Sequence, residues 1–194
     1  MKLLLILAHP IKDSFNAAVA ETAREALLAR GHEVDWLDLY GEDFDPRLTS
    51  AERASYFVEP YDGSAVAPLI ERLRAADGLV LVFPQWWFGF PAILKGFFDR
   101  VFAPGVAFAH SGSGGILRRL TNIRLFHALT TTGSPWWVAR LVGDPVHRTL
   151  RRVIAPMCGR GVRFRMISLH DMDRATATKR RAHLERVRRL MAAI

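Results

Sequence analysis

The sequence predicts an α/β fold in which helices cover both faces of a five-stranded, parallel, doubly wound sheet. Short apolar runs, typical of strands buried on both faces, alternate along the chain with longer segments of helical spacing. No internal repeat, linker or low-complexity segment interrupts this alternation. Half of the 194 residues are hydrophobic, which is enough to fill a core on each side of such a sheet. We therefore expect a single domain over residues 1–194.

The first half of the chain supplies three strands and the first helix. Ser14 or Asn16 is expected to cap the helix that follows the opening apolar run, and this helix extends to about Arg30. Gly31 then ends it, because glycine readily adopts the left-handed conformation that closes many helices. The three predicted strands are Lys2–Ala8, Glu33–Leu39 and Gly78–Phe83.

The remaining segments continue the alternation. Tyr40–Asp62 is rich in Asp, Pro and Gly, and we expect it to be irregular apart from a short helix near Ser50–Phe57. The glycine-containing stretch Pro104–Leu117 indicates a loop. Two further strands are predicted at Asn122–Thr130 and Val162–Leu169. Helices are predicted at Ala65–Ala76, at Pro91–Phe102 with the proline in the first turn, at Leu141–Cys158 and at Arg174–Ala193.

Cysteine usage and hydropathy limit the classes of protein that the chain can belong to. The single cysteine, Cys158, excludes a disulfide framework and a cysteine-based metal site, and we expect no metal. The apolar run Leu3–Leu7 is too short to span a membrane, and no small-residue cleavage site follows it. We therefore expect no signal peptide, no integral membrane segment and a cytoplasmic location.

The net charge of +8 is concentrated near the C-terminus. Residues 1–139 hold 13 basic and 15 acidic residues, whereas residues 140–194 hold 14 basic and 4 acidic ones. Such asymmetry suits a nucleic-acid or membrane surface, or a field that attracts an anionic cofactor such as NADPH. A solvated basic face is the favoured interpretation, because aromatic platforms for single strands are not interleaved with the basic residues. We expect no nucleic-acid partner.

Three polar or aromatic segments follow predicted strand ends, where ligands bind in doubly wound sheets. The first, residues 9–16, leads into a helix N-terminus whose free N–H groups and dipole favour a phosphate. Ser14 and Asn16 add side-chain donors, and Lys12 adds charge. The segment has no G-x-G-x-x-G fingerprint, so it is not a Rossmann dinucleotide motif. A plain helix cap remains the alternative.

The second and third segments add an aromatic wall and a polar rim. Residues 84–91 (PQWWFGFP) contain four aromatic side chains within five residues, which either fill the core or form the walls of a pocket for a flat ligand. Their position at a strand end favours the pocket. In residues 130–134 (TTTGS), hydroxyl groups and a glycine allow close approach of a ligand to the backbone. Together the three segments outline one cleft.

These segments resemble the NAD(P)H:quinone oxidoreductase family in order and spacing from about residue 1 to residue 135, with a weaker similarity from Cys158 to Val162. The residues that carry the resemblance are His9-Pro10 with Ser14-Phe15-Asn16, the run Pro84 to Phe102 (PQWWFGFPAILKGFFDRVF), and Thr131-Thr132-Gly133. The central run is highly specific, whereas the Thr-Thr-Gly piece carries little weight alone. The resemblance implies a flavodoxin-like fold, a tightly held flavin and a homodimer whose active site lies near the subunit interface.

The resemblance also assigns cofactor-binding roles to individual residues. The phosphate and ribityl end of the flavin is expected at His9, Ser14, Phe15 and Asn16. The isoalloxazine is expected along Pro84, Gln85, Trp86, Trp87 and Phe88. Its edge is expected at Thr131, Thr132, Gly133 and Ser134. The rest of the central run, Ala92 to Phe102, is interpreted as a structural packing helix, with Lys95 and Arg100 forming ion pairs or reaching phosphates.

The sequence departs from the family just after the glycine turn. Better-known members carry a Tyr and a His there that assist hydride transfer, and residues 135–145 contain neither. Trp136 and Trp137 either shape the substrate site or pack in the core or a dimer interface. His110 is a further candidate near the cleft, although a solvated loop histidine is favoured, and His147 is expected on a helix and is given no role. No catalytic residue is assigned.

The function implied is passage of hydride from NAD(P)H, through a bound flavin, to a quinone or similar flat acceptor by a ping-pong mechanism. The central motif favours FAD, with FMN as the alternative. Other acceptors within the class are azo compounds, nitroaromatics and free flavin. Outside catalysis, some similar proteins are accessory subunits of cation efflux systems, and the basic C-terminal region leaves a nucleic-acid-binding hypothesis ranked last.

Overall fold

A five-stranded parallel sheet forms the centre of the computed structural model, which describes residues 1–58, 61–112 and 114–194. The strands are β1 (Lys2–Leu7), β2 (Glu33–Asp38), β3 (Gly78–Gln85), β6 (Leu125–Thr132) and β7 (Arg163–His170), in the order β2-β1-β3-β6-β7. A separate antiparallel pair consists of β4 (Phe108–His110) and β5 (Ile116–Arg118). The prediction of a five-stranded parallel sheet is confirmed.

Helices cover both faces of this sheet. They are α1 (Phe15–Ala29), α2 (Ser50–Ser55), α3 (Ala67–Ala75), α4 (Ala92–Val101), α5 (Trp136–Leu141), α6 (Pro145–Thr149) and α7 (Ala177–Ala192). The apolar faces of α1 and α7 form one core layer with the sheet, and α3, α4 and α6 contribute to the other. In the described parts of the chain, none of these helices has the length and apolar character needed to cross a bilayer.

The start of α1 follows one of the two predicted capping alternatives. Ser14 is the N-cap, and its hydroxyl oxygen accepts a hydrogen bond from the Ala17 N–H at 3.1 Å. Asn16 lies within the first turn and is buried. Gly31 follows the helix with φ +75°, the conformation expected of a residue that ends it.

The carboxyl ends of β3 and β6 extend two residues beyond the sequence prediction, and β6 starts three residues later than predicted. Pro84 and Gln85 therefore lie in a strand, not in a loop, and they pair with Thr131 and Thr132. Sequence rules disfavour Pro in a central strand because it lacks an N–H. Here β1 pairs with β3 only as far as Val82. Beyond that point no strand of the described chain lies on the side of β3 where an N–H at position 84 would donate, so the missing N–H of Pro84 costs no hydrogen bond in the sheet.

Three other predicted segments need correction. Pro104–Leu117 is not only a loop, because its flanks form the β4–β5 pair, whose three-residue strands are too short to show a periodicity. The helix expected from Leu141 begins earlier, at Trp136. It is then interrupted by Gly143 and Asp144, which both have positive φ. The final helix starts at Ala177 because Thr176 caps it.

A buried ion pair fixes the segment between β2 and α3 against α4. Arg100 and Glu52 are both almost fully buried, and the Arg100 Nη2 lies 2.7 Å from the Glu52 carboxylate. Burial alone would raise the pKa of Glu52, but hydrogen bonds from Arg100 and from Thr49 lower it overall. Lys95 pairs with Asp99 on the same helix. Both basic residues of α4 thus form ion pairs. The sequence had left open whether they form ion pairs or reach phosphates.

A buried histidine joins α7 to α1. His183 is 5% exposed, and its ring centroid lies 6.1 Å from that of Phe15 at the start of α1. Its Nε2 has no hydrogen-bond partner among the described residues. Burial, supported by the positive charge of Arg186, lowers the pKa of His183 to about 4. The neutral ring is therefore the form that the fold accommodates.

We predict that His183 makes the protein sensitive to mild acid. An unfolded chain protonates this histidine near pH 6.5, but the folded chain does so only near pH 4, so the unfolded state binds more protons between these values. Stability should therefore fall by roughly 3 kcal/mol as the pH drops across this window of about 2.5 units, at about 1.4 kcal/mol per pKa unit. His183→Leu should remove this loss in urea unfolding measured at several pH values.

The control for this prediction is His110→Leu, which removes an exposed histidine from β4. This variant should keep the pH dependence of the unmodified protein. An equal pH dependence in the His183→Leu variant and the unmodified protein would contradict the assignment.

Candidate functional site

A cavity of about 420 Å³ opens at the carboxyl ends of the central strands. It brings together segments that follow β1, β3 and β6, as expected for a doubly wound sheet. Ten of the residues proposed from sequence line it: His9, Phe15, Asn16, Pro84, Gln85, Trp86, Trp87, Thr131, Thr132 and Gly133. The three sequence segments therefore do converge on one cleft.

Buried side-chain hydrogen bonds connect the elements around this cavity. The Asn16 Nδ2 donates to Thr131 Oγ1 at 3.0 Å, which ties the first turn of α1 to the end of β6. The Gln85 Nε2 donates to Thr130 Oγ1 at 2.9 Å, and that hydroxyl lies 2.7 Å from Ser168 Oγ on β7. These bonds hold β3, β6 and β7 at a fixed spacing where the strands end.

Asn16 leaves one polar atom of this network without a partner. Its side chain is 4% exposed and lines the cavity, and its Oδ1 has no hydrogen-bond partner among the described residues. A buried, unsatisfied amide oxygen costs free energy unless a ligand or ordered water supplies a donor. The side chain that lines the cavity therefore carries a buried acceptor with no partner among the described residues.

The N-terminus of α1 provides donors next to this acceptor. The N–H groups of Phe15 and Asn16 lie in the first turn, where a helix offers no acceptor of its own. Ser14 does not line the 420 Å³ cavity but lies in an adjoining cavity of about 600 Å³, together with Lys12. His9 lines both cavities and marks the boundary between them.

His9 is held in its neutral form. Burial lowers its pKa, and a hydrogen bond with the Ile11 backbone opposes this shift only in part. Its Nδ1 lies 3.0 Å from the Ile11 nitrogen and 3.2 Å from the Ile11 carbonyl oxygen, so it accepts or donates according to the tautomer of the ring. The His9 ring centroid lies 6.1 Å from that of Trp86. An imidazole ring thus stands beside the aromatic wall.

The aromatic wall is a tight turn with an unfavourable backbone. The Gly89 N–H donates to the Trp86 carbonyl at 2.9 Å, and the two central residues, Trp87 and Phe88, have φ of +51° and +55°. This is the geometry of a type I′ turn, which normally contains Asn and Gly. Bulky residues in the left-handed region cost roughly 1–2 kcal/mol each. Trp87 is nonetheless 100% exposed, so no packing offsets its share.

The four aromatics of this run divide between the two interpretations that the sequence left open. Trp86 and Trp87 line the cavity, whereas Phe90 packs against Phe83 and Phe98 in the core. Phe88 belongs to the turn but does not line the cavity. The run therefore supplies both a wall and a core anchor.

Five further residues that the sequence analysis considered lie outside the cavity lining. The Ser134 carbonyl accepts the Asp171 N–H at 3.0 Å, so this residue joins the turn after β6 to the one after β7. Trp136 and Trp137 occupy the first turn of α5 and are 62% and 56% exposed. His110, on β4, and His147, on α6, do not line it either.

Two lining residues, Met172 and Asp173, were missed by the sequence reasoning. They follow β7. The rule that ligands bind at the carboxyl ends of the strands, applied to this strand as to the others, would also have identified them. A Cβ atom on Gly133 would lie 2.5 Å from the Asp173 carboxylate, so any larger residue would displace this exposed side chain. The sequence singled out Gly133 for approach to a ligand, but its nearest neighbour is a side chain of the protein.

Comparisons with known proteins agree with this architecture. A family model described as Flavodoxin-like fold matches residues 1–191. NAD(P)H dehydrogenase (quinone) 1 of Cavia porcellus is 40% identical over an alignment that covers 56% of this chain and 45% of the relative. The chain thus spans about half the length of the curated relatives it matches.

Two solved structures match nearly the whole chain. The structure of Smu.1420 from Streptococcus mutans superposes with a TM-score of 0.84 at 29% identity and covers 100% of both chains. An NAD(P)H:quinone oxidoreductase from Methanothermobacter marburgensis gives a TM-score of 0.86 at 26% identity, with 99% of this chain and 98% of the other covered.

We predict that Trp87→Asn stabilises the protein. Asn tolerates the left-handed conformation of the turn, and the exposed Trp87 loses no burial, so the free energy of unfolding should rise by about 0.5–1 kcal/mol. Urea unfolding measures the change. Trp136→Asn is the matched control, because it replaces an exposed tryptophan in a helix and should give no gain. Destabilisation by Trp87→Asn would show that the turn is not strained.

Proposed function

The chain belongs to the flavodoxin-like fold family, and on that premise we propose that it is a flavin-dependent, quinone-type oxidoreductase. It would use NAD(P)H as reductant and a quinone or similar flat molecule as acceptor. The observation that carries the proposal is the convergence of a helix N-terminus, an aromatic turn and polar strand ends on one cavity. The similarity to relatives named as quinone dehydrogenases and oxidoreductases supports it.

The residues around the cavity fit the chemistry of a flavin. A phosphate is favoured at the α1 N-terminus by free N–H groups and the helix dipole, with Ser14 and the His9 ring close by. The unpartnered Oδ1 of Asn16 would accept a ligand hydroxyl or N–H. The exposed ring faces of Trp86 and Trp87 suit a flat ring system. We propose FAD as the cofactor, favoured by the central motif, with FMN as the alternative.

The protein would contribute binding, orientation and electrostatics, and a bound flavin would supply the hydride chemistry. Asn16 and Thr131 fix the position of the α1 N-terminus, and Gln85 and Thr130 hold the floor of the cavity. With a flat ring bound against them, Trp86 and Trp87 would shield one side of it from water. No pair of protein groups in the cavity is arranged for acid–base catalysis in the described residues, so we assign no catalytic side chain.

We further propose a homodimer with the cavity near the subunit interface. On and next to α5, four apolar side chains are exposed: Trp136, Trp137, Leu141 and Val142. Apolar surface of this kind suits association with another protein surface. Trp136 and Trp137 would then either form part of a substrate wall or pack in the interface. A cytoplasmic location is proposed on the basis of the single, buried and unpaired Cys158.

We predict that the purified protein binds flavin and that Ser14→Ala with Asn16→Ala weakens this binding by at least about tenfold. Lost hydrogen bonds to a charged group or buried acceptor cost roughly 1.5–3 kcal/mol each. Titration followed by flavin absorbance measures affinity, and mass analysis of the released cofactor distinguishes FAD from FMN.

Thr176→Ala is the matched control for this double variant. Like Ser14→Ala it removes a helix cap, but Thr176 caps α7 and does not line the cavity, so the variant should lower stability without changing flavin affinity. If the protein binds neither FAD nor FMN at micromolar concentration, the proposed function is wrong. Unchanged affinity in the double variant would exclude the α1 N-terminus from the site.

We predict a ping-pong cycle, because NAD(P)H and a flat acceptor would use the same cavity mouth in turn. Initial rates measured at several acceptor concentrations should give parallel double-reciprocal lines. Intersecting lines would mean that both substrates are bound at once and would contradict the shared mouth.

We also predict that Trp136→Ala or Trp137→Ala raises KM for a quinone more than it changes flavin retention. Ring stacking contributes about 0.5–1.5 kcal/mol beyond area burial, which corresponds to roughly a two- to tenfold change. Bound flavin, KM and thermal stability are measured together for each variant. If both variants lose stability or dimerisation but keep normal KM, the pair belongs to packing and not to the substrate wall.

A further inference from the structure

A second cavity, of about 630 Å³, lies beside the edge strand β7 and shares no lining residue with the candidate flavin site. Three arginines and a histidine line it: Arg118, Arg151, Arg165 and His147. No Asp or Glu is among its lining residues. Most of the lining residues belong to the basic C-terminal region, where they enclose a concave surface. The proposed redox function does not use this cavity.

Within the described parts of the chain, the three guanidinium groups have no partner. Neither an ion pair nor a side-chain hydrogen bond joins Arg118, Arg151 or Arg165 to any described residue. Elsewhere in the described chain, seven arginines do pair with carboxylates: Arg24, Arg47, Arg72, Arg74, Arg100, Arg124 and Arg188. Like charges around one concavity repel one another, and an anion would turn that cost into attraction.

The positive field of this region is also felt inside the protein. His127 on β6 is buried next to β7, and its register partner is Arg165. Burial is the main reason that its pKa is lowered, and the charges of Arg165 and Arg163 lower it further.

The fold holds the three arginines on separate, well-anchored elements. Arg118 ends β5, Arg151 lies in a π-helical turn (Leu150–Ile154), and Arg165 is in the middle of β7. Backbone bonds from Leu120 N–H to the Met157 carbonyl and from Gly159 N–H to the Ile123 carbonyl join the β5 side to the segment before β7. Single π-helical turns are rare and occur often at functional sites.

The remaining lining is suited to a small molecule. Phe164 and Met166 form an apolar side, and the Phe164 ring centroid lies 5.8 Å from that of His147. The volume lies within the range of about 300–1,000 Å³ that is usual for ligand cavities. Phe164 is partly exposed and also packs on Phe126, so the site offers one aromatic ring and not the series of platforms on which successive bases of a single strand stack.

We propose that this cavity binds the oligophosphate group of a phosphorylated small molecule. Three planar guanidiniums present several N–H donors each, in a geometry that matches phosphate oxygens. A single carboxylate would leave most of these donors unused, whereas a chain of phosphates carries enough charge and acceptors for all three. The group can belong to an inorganic oligophosphate or to a nucleotide, in which case the base would lie against Phe164 and His147.

The test is isothermal titration of the purified full chain with inorganic tripolyphosphate, and separately with ATP, at about 0.15 M salt to screen weak surface attraction. The site variant is Arg151→Gln with Arg165→Gln. The matched control is Arg180→Gln with Arg181→Gln, which removes the same charge from exposed, unpaired positions on α7. Thermal melts verify that both variants fold.

We expect saturable binding with one site per chain, weakened at least about tenfold in the site variant and less than about twofold in the control. Equal affinity for both probes identifies the phosphate chain as the ligand group. Tighter binding of ATP that is weakened by Phe164→Leu identifies a nucleotide. Absence of saturable binding overturns the proposal. So do equal losses in both variants, or binding only to duplex DNA, because these indicate a general basic surface.

Discussion

A buried hydrogen bond between Asn16 and Thr131 is the interaction on which the rest of the candidate site depends. It joins residues 115 positions apart and fixes the start of α1 against the end of β6 at 3.0 Å. Because Asn16 is almost fully buried, losing this bond would leave polar atoms unsatisfied in the interior. The helix N-terminus that favours a phosphate, the polar strand ends and the free Asn16 oxygen all take their relative positions from this contact.

Two unfavourable features meet at the cavity. Trp87 has a left-handed backbone, Asn16 keeps an oxygen with no partner among the described residues, and both residues line the cavity. Similar features occur elsewhere, such as the unpartnered Nε2 of His183 and the positive φ of Asp144, but these residues do not line the cavity. Natural sequences break local rules mainly at functional sites, since selection there acts on binding and not on stability. The coincidence of the two features in one cavity therefore agrees with its assignment as the candidate site.

The fold could be predicted from the sequence because its signals are local and repeated. Runs such as Leu3–Leu7 are apolar throughout, and Ser14 and Gly31 bound α1 by their own chemistry. Strand ends could not be placed as well. Pro84 indicates a loop by local rules, and only the end of the neighbouring β1 makes it acceptable in a strand. Met172 and Asp173 carry no distinctive local signal, and their place in the cavity depends on the order of the strands.

The distribution of charge can be explained only in part by protection of the sheet edge. β7 is an edge strand, and exposed charged side chains on such a strand, here Arg163 and Arg165, discourage pairing with another chain. This reason does not extend to Arg118 and Arg151, which lie on other elements and yet face the same cavity as Arg165. Carboxylates close to these positions would have lowered the repulsion at no cost to the edge. The cavity lining contains no carboxylate. Binding of an anion explains this absence, whereas protection of the sheet edge does not.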